Sequence, residues 1–135
     1  MKQHAPVRTH GLTHVALAVK DPARSFRFYH AVLGAVAVYE SDEMVQAQTP
    51  GTRDVLVFER QPELAGRGGG IQHFGFRLQR PGDIGHAIQA VRAAGGTICE
   101  HGEFVSGEPF VFFEDPDGYL VEIWYEIPTP VDPVN

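Results

Sequence analysis

Apolar and polar positions alternate in the same way along two stretches of the chain. In His14-Val-Ala-Leu-Ala-Val19 a period-two strand sets His14, Ala16 and Ala18 on one side and Val15, Leu17 and Val19 on the other. The stretch His73-Phe-Gly-Phe-Arg-Leu78 repeats this 59 residues later, with His73 and Gly75 opposite Phe74, Phe76 and Leu78. Pro22 and Pro81 follow the two strands at the same offset. A side carrying one histidine and small residues suits a cavity wall. The bulky side suits packing against a helix.

The remaining pattern predicts the same plan in each half. After a strand over 12–19, Asp21 as N-cap and Pro22 at the first helical position open a helix that Gly34 closes. Its core stripe is read as Phe26, Tyr29 and Leu33. Strands follow over 35–40, 44–49 and 54–59, then an exposed connector over 61–70. In the second half the strand 73–78 leads through Pro81 into a helix with an apolar stripe of Ile84, Ala87, Ile88 and Val91. Strands are expected over 97–100, 109–114 and 119–126, the last two joined by the tight turn Asp115-Pro-Asp-Gly118. Each half thus reads βαβββ, an internal repeat. One helix covers one face of each sheet, so the uncovered faces are expected to come together. The predicted fold is α+β: two βαβββ modules, about 11–60 and 71–127, forming a half-open barrel around a partly polar cavity. They make a single domain over 11–127, with a lead-in over 1–10 and a proline-punctuated C-terminal tail over 128–135. His14 and His73 are expected to face each other across the cavity.

Composition narrows the function. At 135 residues, 43% hydrophobic and 21% charged, the chain suits one soluble globular domain. Its net charge of −6 argues against a nucleic-acid partner, which wants a basic face. No apolar run approaches the roughly 18 residues of a membrane helix, and the first residues lack the apolar core of a signal peptide. A single cysteine, Cys99, excludes an internal disulfide and fits a reducing cytoplasm. Its apolar context reads as buried filler.

Alternation along the last strand places Glu122 and Trp124 on one face, with Leu120 and Glu126. A lone carboxylate amid Val121 and Ile123 is costly to bury unless it is paired or metal-bound. Two neutral imidazoles, His14 and His73, with the Glu122 carboxylate are a donor set that a divalent ion accepts, leaving positions open for substrate, O₂ or water. Arg77, on the face of His73, suits either an anionic substrate group or a snorkelling surface cation. His101 and Glu103 are placed on the cavity rim, and Trp124 reads as cavity wall or plain core. His4, His10, His30 and His86 read as surface residues. The Gly68-Gly-Gly70 run precedes a strand and reads as a flexible linker rather than a phosphate cradle.

The paired modules, the strand-opening His14 and His73 and the segment Phe112-Phe-Glu-Asp-Pro-Asp-Gly-Tyr-Leu-Val-Glu122 resemble the vicinal oxygen chelate superfamily. That group holds glyoxalase I, type I extradiol dioxygenases, fosfomycin thiol transferases and bleomycin-resistance proteins. The resemblance covers about residues 10–126. It implies His14, His73 and Glu122 as ligands of one divalent ion (Fe, Mn, Zn or Ni), with Glu122 as a catalytic residue; the placement of Trp124, Arg77 and His101 makes them the candidate substrate contacts. Glyoxalase I adds a second glutamate, where this chain aligns Val57, with Glu59 two residues later. The two-histidine, one-glutamate set therefore matches the dioxygenase and thiol-transferase branches better. The loop expected over 101–109 holds Glu103 and Glu108 but no Lys or Arg, which argues against a phosphonate substrate. The implied protein is a cytoplasmic, homodimeric, metal-dependent enzyme acting on a small oxygen-bearing substrate, dioxygenase-like or lactoylglutathione-lyase-like. The alternatives are a protein that sequesters a drug or metabolite in the same cavity, and an interaction domain that keeps only the fold.

Overall fold

The structure is a computed structural model that describes residues 6–134, so His4 lies outside the described residues. The chain divides into two compact units between Ala65 and Gly66, inside the expected connector. Each unit carries an open, four-stranded mixed sheet with one α-helix. Among the described residues no helix is long and apolar enough to cross a membrane.

The first unit runs β1 (His14–Val19), α1 (Pro22–Leu33), β2 (Val36–Glu40), β3 (Met44–Gln48) and β4 (Val55–Arg60). Its strands lie in the order β1-β4-β3-β2, with β1 and β4 parallel and the other pairs antiparallel. Asp21 caps α1 by accepting the Ala23 N–H at 3.1 Å, and Gly34 ends it in the left-handed region at φ 72°. Leu17, Val19, Val45, Ala47, Leu56 and Phe58 form the buried face of the sheet. The Tyr29 ring of α1 stacks on Phe58 at 5.3 Å and 20°. The helix buries Pro22, Ser25, Phe28 and Tyr29; of the expected stripe Tyr29 is buried, while Phe26 and Leu33 are only half-buried. The i, i+3, i+4 set centred on Ser25 faces the sheet, which leaves Phe26 half-buried against the His30 ring at 5.7 Å.

The second unit repeats the order: β5 (Phe74–Arg77), a 3₁₀ turn (Pro81–Asp83), α2 (Ile84–Ala93), β6 (Thr97–Glu103), β7 (Pro109–Glu114) and β8 (Leu120–Trp124). The strands lie β5-β8-β7-β6, with only β5 and β8 parallel. Val91, Val111, Phe113, Val121 and Ile123 are its buried centre. The Asp115 side chain accepts the backbone N–H groups of Asp117 and Tyr119, each at 3.0 Å, and so holds the turn before β8.

Two expectations fail on β6. The strand continues to Glu103 instead of ending at 100, because Glu100, His101, Gly102 and Glu103 pair with Phe112, Val111, Phe110 and Pro109. Ladder pairing overrides the polar side-chain pattern there. Cys99 is exposed, not buried. The register shifts between Ile98 and Glu100, so Cys99 sits on a bulge of an edge strand, where its apolar neighbours in sequence do not bury it.

Candidate metal and substrate site

In the second unit β8 lies between β5 and β7, which puts Glu122 at the centre of the sheet. Its partners are Gly75 on one side and Phe112 on the other. It faces away from α2 yet is only 8% exposed. Gly75 makes room for it, since a Cβ there would lie 3.1 Å from the Glu122 carbonyl oxygen and 3.3 Å from its Cβ. His73 immediately precedes β5, and its Nε2 stands 3.5 Å from Glu122 Oε1. The Phe112 ring meets the imidazole edge-on at 5.0 Å and 89°. Burial pushes the Glu122 carboxyl above its ordinary range, and the nearby His73 partly offsets that.

The spacing of this pair fits a shared ion. Two donors each about 2.1 Å from one metal at tetrahedral or octahedral angles stand roughly 3.0–3.5 Å apart. An imidazole nitrogen and a carboxylate oxygen are also the donor types a borderline divalent cation prefers. Among the described residues no group of three or more His, Cys, Asp or Glu side chains is gathered to hold an ion, so the second unit by itself offers two donors.

His14 opens β1 of the first unit and is exposed, on the face turned away from α1. The first unit repeats the register of the second: Ala16 pairs with Val57 as Gly75 pairs with Glu122. Val57 therefore holds the position equivalent to Glu122, as the alignment expected. Glu59 pairs with Ala18, two residues along the strand.

Arg77 and Trp124 are partners in the ladder and share the face of Glu122. The Trp124 Nε1–H is buried with no acceptor among the described residues. His101 does not rim that face. It pairs with Val111 and shares its side, opposite Phe110 and Phe112, and borders a hollow with Ile84 and Ile88 of α2. As a strand residue past the bulge its direction is set by the ladder, whereas the expectation had placed it in a loop. Glu103, expected beside it, accepts the Gly107 N–H at 2.7 Å and braces the following turn.

Two features of the site were not anticipated. Phe110 and Phe112 line the Glu122 face, a placement that strict alternation along β7 already carries. The other is Asp132, whose carboxylate takes up Arg77 at 2.8 and 3.0 Å.

A family model described as Glyoxalase/Bleomycin resistance protein/Dioxygenase superfamily matches residues 11–123. The chain is 29% identical over 131 residues to a probable chloroplastic lactoylglutathione lyase of Arabidopsis thaliana, covering 88% of this chain and 37% of the relative. It is 28% identical over 126 residues to the catechol-2,3-dioxygenase of Bacillus subtilis, covering 88% and 44%. The chain thus spans less than half the length of these curated relatives. Among solved structures, a mutant of the fosfomycin resistance protein FosX from Listeria monocytogenes, complexed with Mn(II) and 1S,2S-dihydroxypropylphosphonic acid, has a similar fold. Its TM-score is 0.71 at 19% identity, over 86% of this chain and 90% of that one.

Proposed function

The chain belongs to the glyoxalase/bleomycin resistance protein/dioxygenase superfamily, and from that premise we propose that it is a metal-dependent enzyme acting on a small oxygen-bearing substrate. The observation that carries this reading is the buried Glu122 carboxylate set 3.5 Å from the His73 imidazole. We assign His73 and Glu122 as ligands of one divalent ion and His14, from the equivalent strand of the first unit, as the third. A bound ion would supply Lewis acidity to a chelated substrate oxygen.

The protein's own residues do the rest. The Glu122 carboxylate offsets part of the ion's charge, and the absence of a side chain at Gly75 leaves it room to do so. Phe112 holds the His73 ring edge-on, which fixes the direction of Nε2. Phe112 and Trp124 make the surroundings apolar, which strengthens electrostatic contacts to a developing oxyanion. Val57 leaves the first unit without a carboxylate at the position equivalent to Glu122. That favours dioxygenase-like chemistry over an isomerase that needs a glutamate on each side of its substrate. The relatives named as a catechol dioxygenase and a lactoylglutathione lyase, and the manganese in the FosX structure, are consistent with a metal-dependent enzyme of this superfamily and leave the choice between the two chemistries to Val57. We place the enzyme in the cytoplasm as a homodimer, which sizing chromatography tests.

Metal analysis of protein purified without chelators tests the central claim. The expected result is about one divalent ion per chain, lost in Glu122→Ala and in His73→Ala. Retention of the ion in both variants overturns the assignment. A protein that binds its small molecule equally well in EDTA is instead a sequestering binder.

A further inference from the structure

Beyond the His73–Glu122 pair, the same face of the second sheet holds a charged fork bound to the chain itself. Arg77 lies one alternation step from Gly75 and so on the side of Glu122. Its Nη1 and Nη2 donate to Asp132 Oδ1 at 3.0 Å and Oδ2 at 2.8 Å, and Nη2 reaches the carbonyls of Glu126 and Ile127 at 3.4 Å. Thr129 orients the Asp132 carboxylate through its N–H at 3.1 Å and its hydroxyl at 3.0 Å. The segment 126–132 is thereby strapped beside the face. A hollow of about 300 Å³ there is bordered by His73, Gly75, Arg77, Glu122, Trp124 and Glu126.

Trp124 stands beside Arg77 in the ladder and is backed by further aromatic rings. Phe110 pairs with Trp124 across the sheet. Phe104, 52% exposed, stacks flat on Phe110 at 4.0 Å and 9° and meets Trp124 edge-on at 5.9 Å. Flat rings beside a planar guanidinium suit a ligand that is itself a ring carrying a carboxylate.

We propose that Arg77 anchors the carboxylate of a small aromatic substrate, and that Asp132 occupies this anion subsite in the absence of ligand and yields it on binding. The inference rests on the metal-enzyme reading only for where the reacting end of the substrate lies. The Asp132 carboxylate makes with Arg77 the bidentate contact that a ligand carboxylate makes, so exchange keeps the guanidinium paired and releases the Asp132 carboxylate to solvent and Thr129. The pair is also partly solvated, with side chains 40% and 27% exposed, so opening it costs little. As a tethered competitor, Asp132 lowers the apparent affinity for any free carboxylate. The freed guanidinium lies two residues along the strand from the position that faces Glu122. A ring held there by its carboxylate directs its opposite edge along the face toward the His73–Glu122 pair.

The test uses metal-free protein and Trp124, the single tryptophan of the chain, whose emission reports on the subsite itself. The probes are benzoate and its uncharged analogue benzamide, excited on the red edge of the indole band. Removing the tethered competitor in Asp132→Asn is expected to lower the apparent Kd for benzoate about tenfold. Arg77→Gln is expected to abolish the benzoate response, and Arg77→Lys to restore it only in part because the fork is lost. The benzamide response should be the same in all four proteins. Saturating benzoate should also speed amide exchange at Asp132, whose N–H donates to the Thr129 carbonyl at 3.2 Å. An unchanged benzoate Kd in Asp132→Asn, or an equal gain for benzamide, overturns the proposal. Circular dichroism checks that each variant folds, and Arg77→Lys retains the charge where Arg77→Gln disrupts the strap. Metal content of protein purified without chelators separates the two readings: the Asp132 effect in a protein that takes up no divalent ion refutes the metal site alone, and normal metal content without the Asp132 effect refutes the anion subsite alone.

Discussion

The two units are built to one plan and differ at the positions where chemistry is expected. Both run βαβββ with the first and last strands paired in parallel and the same strand order. Both carry a bulge at the same place on the second strand, at Val38 in one and at Cys99 in the other. The registers Ala16–Val57 and Gly75–Glu122 superpose in the repeat. Yet the first pair is two small apolar side chains, and the second is a bare backbone facing a buried carboxylate. The scaffold is thus duplicated and the cost of burying charge is confined to one copy. A residue that lowers the stability of its own unit, in a position whose twin is valine, is better explained by what it binds than by what it packs.

The largest effect expected is on metal. Glu122→Gln should weaken divalent-ion affinity by more than about 100-fold, since a ligand contributes more than the 10–100-fold typical of its supporting partners. Isothermal titration with Mn(II) or Zn(II) reads this directly. The metal-free variant should be no less stable than the parent at pH 7–8. Glu122 has a raised carboxyl pKa in the folded state, chiefly from burial. Its ionised form therefore subtracts stability as pH rises through the carboxylate range, and an uncharged amide escapes that loss. The variant's Tm should therefore equal or slightly exceed the parent's at neutral pH, and the difference should vanish in acid. A large fall in Tm at neutral pH would make Glu122 a structural residue.

Transplanting the carboxylate is the converse trial. Val57→Glu places an acid at the equivalent point of the first unit, where Val57 is buried and Ala16, not glycine, stands beside it. An uncompensated buried charge should cost about 2–4 kcal/mol, measured by urea denaturation. Pairing it with Ala16→Gly should recover part of that if the missing Cβ is what admits a carboxylate. A smaller step is Gly75→Ala. The added methyl would meet the Glu122 carbonyl oxygen at 3.1 Å and its Cβ at 3.3 Å, so the β8 backbone that carries the carboxylate must give by tenths of an ångström. Metal affinity should fall about tenfold, with about 1 kcal/mol of stability lost. The mirror change Ala16→Gly should cost about 0.5–1 kcal/mol from backbone entropy alone.

Much of this contrast is legible in the sequence, and the misses have physical causes. The duplicated strand pattern, the Asp21 and Gly34 helix signals and the Asp115–Gly118 turn depend on neighbours a few residues apart, so they read true. The pairing of His73 with Glu122 follows from alternation on two strands joined in parallel. Local context misleads where the ladder slips: the bulge at Cys99 exposed a residue whose apolar neighbours suggested the core, and the strand that continues past it turned His101, expected in a loop, to the α2 side. The helix stripe was displaced because Ser25, a polar residue, lies at the buried centre of α1. Arg77's true partner was out of reach, since Asp132 is 55 residues away in a segment with no strand or helix pattern. How far His14 contributes is set by the placement of one unit against the other, which no local pattern encodes.

The smallest effect belongs to the Arg77–Asp132 strap, which the first unit lacks because Ala18 stands at the position of Arg77. The guanidinium, followed by the Thr129 N–H, holds the Asp132 carboxyl down to a pKa of about 2. A pKa lowered in the folded state means that the strap's stabilisation is complete above the ordinary carboxylate range near 4. It declines as pH falls and is gone once pH passes below about 2. Titration of the Asp132 carboxyl carbon by NMR should therefore show a midpoint near 2 in the parent, whereas Arg77→Gln should return it most of the way toward 4, leaving the residual pull of Thr129. Global stability should hardly change between pH 7 and 5, because the pair is solvated and its energy is mostly screened. A parent midpoint near 4 would mean that Arg77 and Asp132 are not joined in solution, and that the arginine is already free on the Glu122 face.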